Sequence, residues 1–377
     1  MILSRTLSYL QRLDWWLLLS VIALFAFGLS AIYSVELSRG SSDFLSIKKQ
    51  LLAFLIGVVF FIVLSNMHML FLRSYGRILY LLGVFLMVAV LIFGTEVRGT
   101  TGWFIVGGIS FQPVEFMKLA LAIVLARYFS EKARRRFGAR EFFESFLLTA
   151  LPAGLTLLQP DLGSASVLIG IWLVVIFFAG LRPRHAAFLF MLTAIVAVLS
   201  WNFALQDYQK ERIEVFLDPT ADPQGIGYNV TQAPIAIGSG QLLGRGLGFG
   251  SQSQLKFLPE SQTDFIFAVI AEELGFLGVS LVIVGMGIIL WRILLIAQRS
   301  RDHFITFLLI AIFGSFAVQA FVNIAVNLAL FPATGIALPL MSYGGSSLVV
   351  TFVMIGIVQS VAARVPLVDR TVSAFAS

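Results

Sequence analysis

Trp15-Trp-Leu-Leu-Leu-Ser-Val-Ile-Ala-Leu-Phe-Ala-Phe-Gly-Leu-Ser-Ala-Ile32 carries no charged side chain from end to end. A bilayer core about 30 Å thick is crossed by roughly 20 apolar residues in a helix, and backbone polar groups in lipid find partners only in helices or closed barrels. The run therefore reads as a membrane-spanning helix, and with no A-x-A-like cleavage site it is a retained span, not a removed signal peptide. Similar runs recur along the chain and predict spans near residues 15–34, 50–66, 77–95, 113–129, 144–159, 164–181, 186–204, 265–292, 304–329 and 341–364. The composition agrees: 59% of the 377 residues are apolar, 12% are charged and the mean hydropathy is +0.94, too little polar surface to coat a soluble globule. The predicted fold class is an all-α integral membrane protein with about ten transmembrane helices, a single polytopic domain over residues 1–377.

The charge pattern gives that domain a direction. Arg5 and Arg12, Arg73 and Arg77, Arg182 and Arg184, Arg292 with Arg299 and Arg301, and Arg364 with Arg370 share one parity of the predicted loops. The densest cluster, Arg127, Lys132, Arg134, Arg135, Arg136 and Arg140, falls on the same side. The positive-inside rule makes that side cytoplasmic and puts both termini there. Lys48 and Lys49 are the main exception on the outer face. The formal charge of +6 is thus topological, with no footprint for nucleic acid. Cysteine is absent, so thiolate and disulfide chemistry are excluded.

Two segments depart from the simple pattern. The fifth span is short and carries Pro152 and Gly154, which predicts a helix shielded from lipid by protein or broken. Residues 205–264, rich in Gly, Pro, Asp and Gln, predict a long extracytoplasmic loop between the seventh and eighth spans, and loops of that length are usually functional.

Ionisable residues within or beside apolar helices are costly and become the site candidates. In Phe111-Gln-Pro-Val-Glu115-Phe-Met-Lys118, Pro113 suits a first helical turn, and Glu115 and Lys118, three apart, share a face. That pair reads equally well as a neutralised lock on helix packing and as part of a site. In Gln159-Pro-Asp161-Leu-Gly163, Asp161 is placed to cap the sixth span or to serve a site. In Phe257-Leu-Pro-Glu260-Ser-Gln-Thr263-Asp264-Phe-Ile-Phe267, Asp264 stands where the long loop re-enters the membrane, a boundary that suits a general base, while Thr263 or Asp264 as a plain N-cap is the alternative. Glu272 and Glu273, about two turns deeper, predict a satisfied packing network first and a proton relay second.

Other signals fall away. The glycines from Gly238 to Gly250 lack the G-K-[ST] and the strand context of a phosphate loop. His68, His185 and His303 all lie near the cytoplasmic side, so no His-based metal site or triad is available at the outer face.

The same residues carry a resemblance. Leu258 to Phe267 with Ala271-Glu-Glu-Leu-Gly275, Leu217-Asp-Pro-Thr-Ala-Asp-Pro-Gln-Gly-Ile-Gly-Tyr-Asn229, and Ala333-Thr-Gly-Ile-Ala-Leu-Pro-Leu-Met-Ser-Tyr-Gly-Gly-Ser346 resemble the SEDS family (shape, elongation, division, sporulation). Phe111 to Glu115 and Leu158 to Gly163 fit the same pattern, and Gln252 to Glu260 resembles the elongation branch more than the division branch. The resemblance implies a ten-helix peptidoglycan glycosyltransferase that polymerises lipid II at the outer face of the bacterial cytoplasmic membrane, paired with a class B penicillin-binding protein as transpeptidase. It assigns Asp264 as the catalytic aspartate and Glu115, Lys118 and Asp161 as substrate-binding residues of a central cavity. The chain departs from the family where an Arg-Trp pair is usual, reading Gly102-Trp103, with Arg98 and Arg245 as the candidate replacements. Gln262 also stands where His is common before Thr-Asp.

The mechanism this implies has Asp264 take a proton from the acceptor sugar's 4-hydroxyl while undecaprenyl pyrophosphate leaves with inversion. Lys118, a nearby arginine, a divalent cation (Mg or Mn) or the helix start at Pro113 would stabilise the leaving charge. A lipid II flippase and a noncatalytic scaffold are the competing functions. A flippase calls for a polar track to the cytoplasmic face, whereas the ionisable residues gather outward, and a scaffold leaves Asp264 unexplained.

Overall fold

The computed structural model describes residues 13–38, 44–97, 99–133, 138–181, 191, 202, 207–218, 226–255, 257, 258 and 260–364. In chain order the helices are α1 (Trp15–Ser38), α2 (Leu45–Asn66), α3 (Met69–Phe93), α4 (Pro113–Lys132), α5 (Ala139–Leu158) and α6 (Leu162–Phe178). They continue with α7 (Asp207–Leu217), α8 (Ile226–Ser239), α9 (Ser251–Gln254), α10 (Ile266–Arg299), α11 (His303–Asn327) and α12 (Gly345–Ala362). Between α3 and α4 a short antiparallel meander runs β1 (Thr95–Val97), β2 (Thr100–Val106) and β3 (Ile109–Phe111), with Thr95 opposite Trp103 and Phe104 opposite Phe111.

Every predicted crossing but one coincides with a described helix; the exception, 186–204, lies outside the described residues save for positions 191 and 202. Among the described residues seven helices are long and apolar enough to cross a membrane, namely α1, α2, α3, α5, α10, α11 and α12, with α6 a shorter apolar helix. The protein is thus an all-α, multi-pass membrane protein. Helix α4 differs because it is the centre of the bundle. It packs against α3, α6, α11 and α12, and its stretch Leu119 to Ala126 is buried throughout. Lipid therefore meets the outer helices, where Leu55, Val59, Leu81, Phe85 and Ile92 are exposed.

Helix α1 is tied to the far end of α10 by an ion pair. Arg292 Nη2 donates to Asp14 Oδ2 at 2.6 Å and its Nε to the same oxygen at 2.9 Å, both side chains buried, while Asp14 also caps α1 through Leu17 N. Arg292 thus has a packing role beside the topological one expected of it. It also places the start of the first span beside the end of the eighth, as a shared side requires.

The fifth span corrects the prediction. Helix α5 is a continuous 20-residue helix with Leu147 and Leu158 exposed, neither broken nor shielded. Proline removes one N–H and strands the carbonyl four residues back. Here that carbonyl is Leu148 O, and the buried Tyr80 hydroxyl of α3 donates to it at 2.8 Å. The neighbouring helix supplies the bond the proline took away. Tyr80→Phe is expected to lower stability by about 1–2 kcal/mol, the range for an orphaned buried acceptor. Thermal unfolding in detergent checks it, and in a Pro152→Ala background, where the N–H returns, the loss should shrink.

The long loop also differs from expectation. Within 205–264 the described residues include three helices, α7, α8 and α9, joined by turns and irregular segments. Residues Gln241 to Gly246 lie against α10 where Gly275 (φ 66°, ψ −162°) interrupts its helical backbone. Phe276 N donates to Gln241 O at 2.8 Å and Leu277 N to Leu242 O at 3.2 Å, while Arg245 N and Gly246 N donate to Glu272 O and Glu273 O at 3.0 and 2.9 Å. The loop thereby satisfies the backbone groups that the interruption frees. A Cβ on Gly275 would sit 2.3 Å from Gly244 N, so the close approach itself requires glycine.

Candidate active site

Four helix starts converge on one cavity of about 480 Å³. Gln112 and Glu115 come from the start of α4, Asp161 and Ser164 from α6, Gly344 to Ser347 from α12, and Thr263 with Asp264 from the turn before α10. The meander contributes Val97, Thr100 and Trp103, and α2 contributes Lys49. Helix N-termini present unpaired N–H groups and the positive end of the helix dipole, so the convergence favours a ligand with negative charge.

The floor is polar and internally paired. Lys118 Nζ donates to Glu115 Oε1 at 2.8 Å and to Gln319 Oε1 at 3.1 Å, and Gln319 returns its amide to Ser315 O at 3.0 Å. Lys118 is 3% exposed and Glu115 7%. Both open readings of the pair meet here, because it locks α4 to α11 and also lines the cavity.

Asp161 likewise has two roles. It caps α6 by accepting from Ser164 N at 2.8 Å and Ser164 Oγ at 2.7 Å, and it accepts Gln112 Nε2 at 3.2 Å in the cavity wall. Burial pushes its carboxyl above the ordinary aspartate range, opposed by the Ser164 bonds and by the charge of Lys118.

The simple capping alternative for Thr263 and Asp264 is not what the structure has. Helix α10 starts after Phe265 without a side-chain cap, and Thr263 Oγ1 donates to Glu260 O at 3.2 Å. The turn is held by its main chain: Ser342 Oγ donates to Thr263 O at 2.6 Å and Tyr343 N to Gln262 O at 2.8 Å. Beside the Asp264 carboxylate in the cavity lining is Gly335, in the left-handed region at φ 74°, where a Cβ would stand 3.9 Å from Asp264 Oδ2.

Glu272 and Glu273 belong to a separate buried network. Glu272 accepts from the backbone of Gln252 and Ser253 at 2.7 and 3.0 Å, holding the start of α9, and Ser34 donates to Glu273 at 2.5 Å. Arg245 lies with this network, donating to Ser251 Oγ at 2.8 Å, and is not among the cavity-lining residues. Arg98 lies outside the described residues; its neighbours Val97 and Thr100 line the cavity. At Gly102 a Cβ would lie 3.1 Å from Gln159 Oε1 and 3.8 Å from Gln112 Nε2, so a side chain there would face those two amides, beside Asp161. Among the described residues no group of three or more His, Cys, Asp or Glu is placed to hold a metal ion.

Lys49 lines the cavity without having been a predicted site residue, although its charge stands on the predicted outer face against the topological trend. Asn323 and Asn327 of α11 were also missed; both are buried, and both donate to the carbonyl of Asp264, at 3.0 and 2.8 Å.

The comparisons agree along the whole chain. It is 38% identical to the Bacillus subtilis stage V sporulation protein E over 92% of this chain and 96% of that protein. It is 37% identical to the probable peptidoglycan glycosyltransferase FtsW of Trichlorobacter lovleyi over 96% of each. Among solved structures, a chain of a peptidoglycan synthase complex described as coordinating polymerisation and crosslinking matches with a TM-score of 0.78 and 32% identity over 94% of this chain and 99% of that one. The rod shape determining protein RodA of Thermus thermophilus matches with a TM-score of 0.69 and 30% identity over 94% and 97%. Residues 13–366 match the family described as cell cycle protein, comprising FtsW, RodA and SpoVE, and the chain belongs to that family, the SEDS proteins.

Proposed function

We propose that the protein is a peptidoglycan glycosyltransferase that polymerises lipid II, with Asp264 as general base and a class B penicillin-binding protein as its crosslinking partner. The observation that carries this reading is the convergence of the α4, α6 and α12 starts and the Asp264 turn before α10 on one cavity. The acceptor 4-hydroxyl gives its proton to Asp264 as it attacks the donor's anomeric carbon, and the bond to undecaprenyl pyrophosphate breaks with inversion. The helix starts and Lys49 stabilise the leaving pyrophosphate, and Lys118 and Asp161 position the head groups. Asp161 would be the carboxylate to help hold a divalent cation, Mg²⁺ or Mn²⁺, which would supply positive charge to the leaving pyrophosphate.

The lipid-linked substrate explains the setting: the polyprenyl tail stays in the bilayer while the head group enters the cavity. The arginine distribution supports cytoplasmic termini and a cavity that opens outward from the bacterial cytoplasmic membrane. The text Gln252 to Glu260 supports a role in elongation over division. Against a flippase stands α4 itself, which continues below Lys118 as the buried apolar stretch Leu119 to Ala126. The deciding assay supplies purified lipid II to the protein with its partner. Glycan polymer is expected; translocation of labelled lipid II in liposomes without polymer would overturn the enzyme reading.

A further inference from the structure

We infer that Asn323 and Asn327 are positioning residues that set the Asp264 carboxylate beside the Gly335 segment of the cavity lining, an inference that rests on Asp264 being the general base. At a regular helix start the Asp264 carbonyl would accept the N–H of Ala268, four residues on. In this protein the Asn327 side chain stands between them, accepting from Ala268 N at 3.0 Å through Oδ1 and donating to Asp264 O at 2.8 Å through Nδ2. One amide thus replaces both halves of a ladder bond and opens the first turn. Asp264 is thereby released from helical geometry while its main chain stays fixed.

Asn323, one turn earlier on α11, fixes the spacing between the Asp264 turn and the neighbouring Gly335 segment. Its Nδ2 donates to Asp264 O at 3.0 Å and to Ile336 O at 2.8 Å, joining the base-bearing turn to the strand of chain that carries Gly335. Gly335 faces Asp264 Oδ2 with no side chain of its own between. The two asparagines are coupled in turn, Asn327 Nδ2 donating to Asn323 O at 2.8 Å, and both are buried, so no water competes for these bonds. Buried amides that tie the Asp264 carbonyl to α11 and to the Ile336 carbonyl act as spacers, and a base displaced by about 1 Å can lose about 10²-fold in rate.

The test is lipid II polymerisation by the complex with its partner, comparing wild type with Asn323→Asp and Asn327→Asp. Each substitution keeps the side-chain shape and replaces the donating amide with an acceptor. We expect kcat to fall about 10- to 100-fold with KM within about threefold, and the midpoint of thermal unfolding to move by only a few degrees. Unchanged kcat in both variants overturns the inference, as does a loss of kcat matched by an equal loss of folded protein in both. Asp264→Asn, run alongside, separates the two claims. If that variant polymerises normally, the general-base reading fails. If it is inactive while the asparagine variants keep full kcat, only the positioning role fails.

Discussion

Asp264→Asn is expected to lower glycan polymerisation by about 10²- to 10⁴-fold, the usual contribution of a general base, while leaving the protein folded and able to bind lipid II. The change is isosteric and removes the basic oxygen. The bonds from Asn323, Asn327 and Ser342 that hold the turn run to the carbonyls of Asp264 and Thr263, and the substitution leaves them in place. Loss of activity without loss of fold is therefore the outcome that distinguishes a base from a structural residue. Asp264→Glu keeps the chemistry but moves the carboxylate by one methylene toward Gly335, and should retain part of the rate. Single-turnover polymerisation and a lipid II binding isotherm on the same preparations supply the check. Normal product from Asp264→Asn sinks the mechanism.

What could be read from sequence follows what the membrane makes expensive. The apolar runs predict the described crossings because lipid leaves the backbone no alternative to helix. Glu115, Lys118, Asp161 and Asp264 could be singled out for the same reason, since charge near lipid demands an explanation, and all four line one cavity. The errors come from partners far away in the chain. Pro152 looked like a break because Tyr80, on another helix, was not visible as the donor that repairs it. The interruption at Gly275 depends on Gln241 to Gly246, some thirty residues earlier, and the glycines of that segment gave no hint of where they dock. Asn323 and Asn327 carry no charge and sit in an apolar helix, so composition alone passes over them. Arg245 had the right charge for a phosphate ligand, yet it donates to Ser251, whose hydroxyl donates in turn to Glu272, and it is not among the cavity-lining residues.

Lys118→Met is expected to cost about 3–5 kcal/mol of stability, because it leaves the Glu115 carboxylate buried without its cation. Glu115→Gln should cost less, since Lys118 keeps Gln319 as an acceptor and a glutamine in place of the carboxylate still offers an oxygen. Burying a charge pair repays its desolvation only when both partners stay, so the double variant Glu115→Gln with Lys118→Met should regain most of the stability that Lys118→Met loses. That non-additivity, measured by thermal unfolding of all four proteins, establishes the pair as one electrostatic unit. Polymerisation by the double variant then divides its two roles. If the pair only locks α4 to α11, the stable double variant polymerises at the wild-type rate. If Lys118 also meets the substrate, the double variant is folded and slow. The second outcome is the expected one, because Glu115 and Lys118 open onto the same cavity as Asp264 and a neutral pair offers no charge to a pyrophosphate.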